Sequence, residues 1–210
     1  MTMFIKNKFI LSCLIKLRDS LFVILSRKKW RQLKYQRSIM LEIGAGEKSG
    51  KQGWTTVDLR GSDIAHDLRR GIPLPNNTVD KIYTSHLFEH IPYKDLISLL
   101  EECYRVLKKG GELSVCVPNA GYYIRAYYEQ KIFRDLSDAY QPAVVDTNSF
   151  LDQVNYVAYM DDEHKYMFDE ENLVNTLKVV PFEKVSLRDF DPDLDRTERD
   201  FESVYARATK

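Results

Sequence analysis

The apolar run Ile39-Met-Leu-Glu-Ile43 breaks at Gly44-Ala-Gly46, and a second run beginning at Trp54 ends in Asp58. A buried strand that stops at two glycines forms a turn whose backbone can approach a ligand closely, because glycine has no Cβ to block it. A carboxylate at the end of the next strand stands where it can hold the two hydroxyls of a ribose. Together these features point to an α/β fold with a site for a nucleoside-containing cofactor. The third glycine of a dinucleotide-binding turn is missing, since position 49 is Ser. A triphosphate-binding loop also fails, because Gly50-Lys51 is preceded at the required spacing by Ala45 and followed by Gln52. The gap from Gly46 to Trp54 is too short for a crossover helix, which needs about a dozen residues. The first crossover is therefore expected to be abbreviated.

Further along, Asp63 to Leu68 reads as a short third strand, and Gly71-Ile-Pro-Leu-Pro-Asn-Asn as a loop. Val79 to Ser85 reads as a fourth strand. Tyr93 to Leu107 has the apolar spacing of one helical face, and Lys108-Lys-Gly-Gly111 reads as its end. Leu113 to Val117 gives a fifth strand, and strands alternating with helical patterns imply a parallel sheet. Eight of the thirteen tyrosines fall between residues 120 and 167, a segment read as an aromatic lid or as core. Asp169 reads as a helix N-cap, and Lys184 to Arg188 with Ser203 to Ala208 as an antiparallel pair at the far edge.

The formal net charge of zero hides an asymmetry, with residues 1–37 summing to +9 and the remainder to −9. Within 1–37, Ile10, Leu14, Leu17, Leu21 and Ile24 recur at helical spacing. An amphipathic basic helix is expected there, packed across the sheet edge or onto a second copy, with docking on an anionic membrane surface as the alternative. The apolar runs are too short to span a bilayer. Cys13, Cys103 and Cys116 are odd in number and set in apolar surroundings, which reads as reduced thiols of a cytoplasmic protein.

With these residues in view, the chain resembles class I S-adenosylmethionine-dependent methyltransferases. The resemblance is carried by LEIGAG at Leu41 to Gly46, by Asp58, by His66-Asp-Leu68, by Ile72-Pro-Leu-Pro75, by Val79 to His86 and by Tyr104-Arg-Val-Leu-Lys-Lys-Gly-Gly111. It is most similar to short members with a GWxxVD second strand and an SHxxEH segment, a type often associated with surface-glycan synthesis. The resemblance implies a Rossmann-like, seven-stranded, mostly parallel sheet with helices on both faces and an antiparallel C-terminal strand. It places the methyltransferase domain at 38–210, with a helical lid at 120–167 and the basic helix at 1–37 added in front. The implied cofactor is S-adenosylmethionine. By position, Glu42, Gly44, Ala45 and Gly46 would hold its methionyl part, Asp58 and Leu59 the ribose side, and Asp67 and Leu68 the adenine, with Ser85 at the end of strand four.

His86-Leu-Phe-Glu89-His90 also matches an inverted zinc-protease motif, which requires the interior of a stable helix. A strand precedes it and Pro92 follows, so no metal is expected on that reading. In the methyltransferase reading it lies where the sulfonium methyl points. For transfer to a hydroxyl, a neutral histidine suits removal of the proton near pH 7. His90, His86 and His164 are the candidate bases and Glu89 a candidate orienting partner, while His66 reads as packing. The Thr-Ser-His end of strand four and the acidic body argue against a nucleic-acid substrate. O-methylation of a saccharide or glycan precursor is the first expectation. Another small metabolite as acceptor, or a non-catalytic cofactor-binding scaffold tethered through 1–37, are the alternatives.

Overall fold

The structure, a computed structural model, describes residues 25–50, 52–131 and 146–210. The expected apolar stripe from Ile10 to Ile24, Cys13 and the middle of the lid lie outside the described residues.

Residues 25–33 are helical (α1). The strands are β1 (Met40–Ile43), β2 (Trp54–Asp58), β3 (Ile64–Ala65), β4 (Val79–Ser85), β5 (Leu107–Pro118), β6 (Glu183–Leu187) and β7 (Ser203–Thr209). The helices are α2 (Tyr93–Val106), α3 (Ala120–Tyr128), α4 (Leu151–Tyr159) and α5 (Glu170–Leu177). One seven-stranded sheet runs in the order β3-β2-β1-β4-β5-β7-β6. β7 pairs antiparallel with both neighbours and every other pairing is parallel. Ile82, Tyr83 and Thr84 are buried in succession, as are Leu113 and Val115 to Val117 beside them. An unbroken buried run means that both faces of the central strands are covered.

Strand order reverses between β1 and β4, so the crevice where open α/β sheets bind ligands opens at the C-terminal ends of these two strands. Ile43 pairs with Thr84, which sets Gly44 beside the Ser85-His86 end of β4.

Two local readings are corrected, and the placing of the His86–His90 motif outside an α-helix is borne out. The third strand is only Ile64–Ala65; Asp67 instead caps a 3-10 turn, Leu68–Arg70, by accepting from the Arg69 backbone N–H. A short polar side chain next to an edge strand competes with ladder pairing in this way. Helix α2 stops at Val106, and Lys108 to Gly111 belong to a bulged start of β5 rather than a helix cap. Gly110, at φ 78°, donates to the Lys210 carbonyl and so ties the bulge to the chain end. The His86–His90 motif is not in an α-helix: only Phe88–His90 form a 3-10 turn, and His86 has φ 52°.

The abbreviated first crossover is present, with no helix among the described residues between β1 and β2. Asp63 holds this loop, its Oδ2 accepting from Gly50 N at 2.8 Å and Thr56 N at 3.2 Å. A Cβ on Gly50 would stand 1.8 Å from the Trp54 carbonyl oxygen, so only glycine permits so tight a return. Helix α1 packs across the β3 edge: Ser26 Oγ accepts from Ala65 N at 2.9 Å, Lys29 donates to the Asp63 carbonyl, and Trp30 and Leu33 enter the core.

Candidate functional site

The turn after β1 is fixed by β2. Gly44 N and Ala45 N donate to the Val57 carbonyl, and Gly46 N donates to Asp58 Oδ2 at 2.8 Å. Asp58 Oδ1 accepts from Leu59 N, so one carboxylate joins the turn after β1 to the turn after β2. Gly44 and Gly46 both have φ +69°, a region that side chains disfavour. A Cβ on Gly46 would meet nothing within 4 Å, so the backbone there is open to an approaching group. Beneath the turn, Glu42 Oε1 lies 2.5 Å from Lys48 Nζ. The carboxylate assigned to an α-ammonium group thus already holds a side-chain ammonium, a stand-in of the same charge.

A cavity of about 930 Å3 runs from this turn beneath α1, lined by Glu47, Leu59, Gly61, His66 and Asp67 on one side and Arg27 and Arg31 on the other. The exposed Leu59 offers it an apolar surface. Asp67 is paired with Arg69, and this hydrogen bond, opposed by burial, holds its carboxyl below the usual carboxylate range. Leu68 lies in the hydrophobic core and, unlike Asp67, is not among the residues that line the cavity. His66 donates to the Gly71 carbonyl and meets Trp30 edge-on, the packing role expected of it. Open backbone at Gly46, a carboxylate holding an ammonium, and a second carboxylate on the neighbouring turn fit the methionyl and ribose parts of S-adenosylmethionine.

Beyond β4 the chain turns sharply. His86 N donates to the Cys116 carbonyl, and Leu87 rests against Gly44. A smaller cavity of about 240 Å3 opens here, lined by His86, Glu89, His90 and His164 with Tyr156, Met160, Glu198, Arg199 and Glu202. The four predicted catalytic residues therefore converge, although His164 is distant in sequence. Residues 164–166 are stitched to the turn by Lys165 N and Tyr166 N, which donate to the Glu89 carbonyl. Ser85 Oγ is buried without a hydrogen-bond partner.

Hydrogen bonds assign the ring protons. Ser203 Oγ spends its one hydrogen on the Arg199 carbonyl, so His86 Nε2, 2.9 Å away, is the donor to Ser203 and Nδ1 keeps the lone pair. His164 Nδ1 lies 2.7 Å from the Val157 carbonyl and His90 Nδ1 3.3 Å from the Glu163 carbonyl. A carbonyl only accepts, so both rings donate through Nδ1 and carry the lone pair on Nε2. Glu89 is 2% exposed, and neither of its carboxylate oxygens has a hydrogen-bond partner. Its Oε1 lies 3.7 Å from His86 Nδ1 and 3.9 Å from His90 Nε2. Burial pushes the Glu89 carboxyl up to about 8 and holds all three imidazoles below their usual value, His86 furthest.

Lys48, Leu87, Asp63 and Arg199 were not anticipated. Leu87 lies inside a motif that had been noticed, but nothing in the order of residues marks Lys48 as the partner of Glu42.

Residues 40–115 match the family model described as a methyltransferase domain. A demethylmenaquinone methyltransferase of Listeria monocytogenes is 33% identical over 67 residues, 32% of this chain and 27% of that protein. The match thus spans only about a quarter of the curated relative. Among solved structures, a SAM-dependent methyltransferase from Archaeoglobus fulgidus is similar with a TM-score of 0.53 and 17% identity, over 91% of this chain and 94% of that one. A possible histamine N-methyltransferase from Thermotoga maritima has a TM-score of 0.49 at 17% identity, over 97% of each chain. Residues 40–115 thus match a family model described as a methyltransferase domain, and the sheet that carries them has the Rossmann-like fold of the Archaeoglobus fulgidus methyltransferase.

Proposed function

We propose that the protein is an S-adenosylmethionine-dependent methyltransferase that methylates a hydroxyl of a saccharide or glycan precursor. The observation that carries this reading is the cavity at the end of β4. It lies beside the glycine turn and is walled by three histidines, a buried carboxylate and the last part of the lid. The cofactor supplies an electrophilic methyl group. The chain must then set the acceptor oxygen in line and receive its proton. His86, His90 and His164 present lone pairs for that proton, because their N–H groups are committed elsewhere. Burial keeps them neutral near pH 7, the state a base requires. Glu198, Arg199 and Glu202 supply polar edges, and Tyr156, Val157 and Met160 an apolar face, a mixture suited to a sugar ring.

The similarity to a demethylmenaquinone methyltransferase favours a second reading, in which a small metabolite is the acceptor. Calorimetry with S-adenosylhomocysteine, followed by transfer of labelled methyl to panels of saccharides and of small aromatic acceptors, separates the two. Binding at micromolar concentration and label on a saccharide hydroxyl is the expected result. Label appearing only on the aromatic panel would replace the first reading by the second, and no cofactor binding would end both.

A further inference from the structure

The cavity at the end of β4 gathers a carboxylate and three imidazoles, with Arg199 also on its wall. Glu89 is buried with both oxygens unpartnered, and His90 Nε2 and His86 Nδ1, both lone-pair atoms, face it at 3.9 and 3.7 Å. Among the described residues, Glu89, His90 and His164 each offer one ligand atom within 4.8 Å of the others. The His90 and His164 rings meet edge-on with centroids 4.8 Å apart. Convergent lone pairs beside a buried carboxylate are costly unless a donor or a cation stands between them.

We propose that Glu89, His90 and His164 bind a divalent first-row transition-metal ion in this cavity. Each histidine is already arranged as a ligand, because Nδ1–H donates to a backbone carbonyl and leaves Nε2 for the ion. Outer hydrogen bonds of this kind fix tautomer and ring orientation at metal sites. Two imidazoles and one carboxylate form a mixed nitrogen and oxygen set, which favours Zn2+ or Mn2+ over Mg2+ or Ca2+. Three protein ligands leave a position open, as in catalytic sites, and the cavity beside them admits an acceptor. The spacing is wider than the separation of about 3.4 Å that tetrahedral bonds of about 2.1 Å impose, so the ligands draw together on binding. His164 follows the left-handed turn at Met160 to Asp162.

The sequence argument against zinc concerned a motif inside an α-helix. This site needs none: Glu89 and His90 leave a 3-10 turn side by side, and the third ligand comes from the end of the lid. With the ion bound, His90 and His164 are ligands, and His86 Nδ1 is the lone pair left to receive the acceptor's proton. That role rests on the proposed methyl transfer; the binding of the ion does not.

The test uses the full chain without an affinity tag, stripped with chelator and titrated with Zn2+, Mn2+ and Mg2+ separately by calorimetry. Co2+ serves as a visible probe of coordination. One Zn2+ or Mn2+ per chain is expected, with Mg2+ much weaker, and Co2+ should give visible ligand-field bands. Glu89→Gln, His90→Asn and His164→Asn should each weaken Zn2+ by on the order of 100-fold and alter the Co2+ bands. Circular dichroism and thermal unfolding of the stripped variants check that each remains folded, and Glu89→Gln keeps the shape of the side chain. Absence of a stoichiometric ion in the folded wild type overturns the proposal, as does Zn2+ binding unchanged in folded Glu89→Gln and His164→Asn. Titration of S-adenosylhomocysteine into the same stripped chain is scored separately. Metal binding without cofactor binding would leave this site standing and remove the methyltransferase reading; the reverse would do the opposite.

Discussion

Leu87 lies directly on Gly44: a Cβ added to that glycine would come within 2.7 Å of Leu87 Cβ and Cδ2. This contact joins the turn after β1 to the turn after β4, so the two halves of the site share a wall. It also separates two glycines that look alike in the sequence. Gly44→Ala meets both a left-handed φ and a packed neighbour, and should cost about 2–4 kcal/mol of stability. Gly46→Ala meets the same φ but no neighbour, and should cost only about 1–2 kcal/mol. The added methyl group at Gly46 would still occupy the cofactor's approach, so S-adenosylhomocysteine should bind more than about tenfold more weakly. Urea unfolding and calorimetry on both variants check this. Equal losses of stability would show that Leu87 yields easily.

The ion pair of Glu42 with Lys48 predicts competition. A cofactor ammonium drawn to Glu42 must displace the Lys48 ammonium from a side chain that is only 13% exposed. Glu42→Gln should therefore weaken S-adenosylhomocysteine binding by on the order of 10- to 100-fold. Lys48→Met should strengthen it by about two- to fivefold, the size expected from a partly exposed ion pair. Calorimetry at low and high salt measures both. Weaker binding in Lys48→Met would mean that the lysine serves the cofactor, for example its carboxylate, rather than competing with it.

Asp63 gives a pH dependence to the short first crossover. Burial disfavours its charged form, but the hydrogen bonds from Gly50 and Thr56 outweigh burial and hold the carboxyl below the usual carboxylate range. A depressed folded value means that the group stabilises the fold above the unfolded pKa and loses this contribution as pH falls through the folded one. Asp63→Asn should thus be less stable than the wild type by about 1–2 kcal/mol at pH 6. The difference should shrink as pH falls below 3.8. Denaturant titrations from pH 6 to pH 3 test it. A constant difference would assign the cost to shape rather than charge.

What the sequence revealed and concealed follows from range. The LEIGAG turn, Asp58, the buried face of α2 and the Asp169 cap are local devices, and each lies where its pattern predicts. The short crossover was legible because chain length alone forbids a helix there. The third strand is shorter than its pattern suggests because nothing in HDL shows that the Asp67 carboxylate turns back to Arg69. The end of α2 was misread because Lys-Lys-Gly-Gly suits a helix terminus and a bulge equally, and only pairing with the chain end decides between them. The convergence of His164 on His90 and Glu89 depends on the left-handed turn after α4, and the proton positions depend on carbonyls of Val157 and Glu163. Backbone acceptors leave no mark in a sequence, so three candidate histidines could be named there but not oriented.

Helix α1 is coupled to both the sheet edge and the larger cavity. Ser26 Oγ is the partner of the Ala65 N–H on the edge strand, and Trp30 is 5% exposed against His66. Ser26→Ala leaves that N–H without its acceptor and should cost about 1–3 kcal/mol. Trp30→Ala opens a void in the core and should cost about 3–5 kcal/mol. Ser26, Arg27, Trp30 and Arg31 also line the cavity that reaches Leu59 and Asp67. Ser26→Ala, the milder change, should therefore leave the chain folded yet weaken S-adenosylhomocysteine more than S-adenosylmethionine fragments that lack adenine. Calorimetry with methionine analogues and with adenosine alone separates the two ends of the site. An equal effect on both ligands would make α1 a brace of the sheet and remove it from the cofactor pocket.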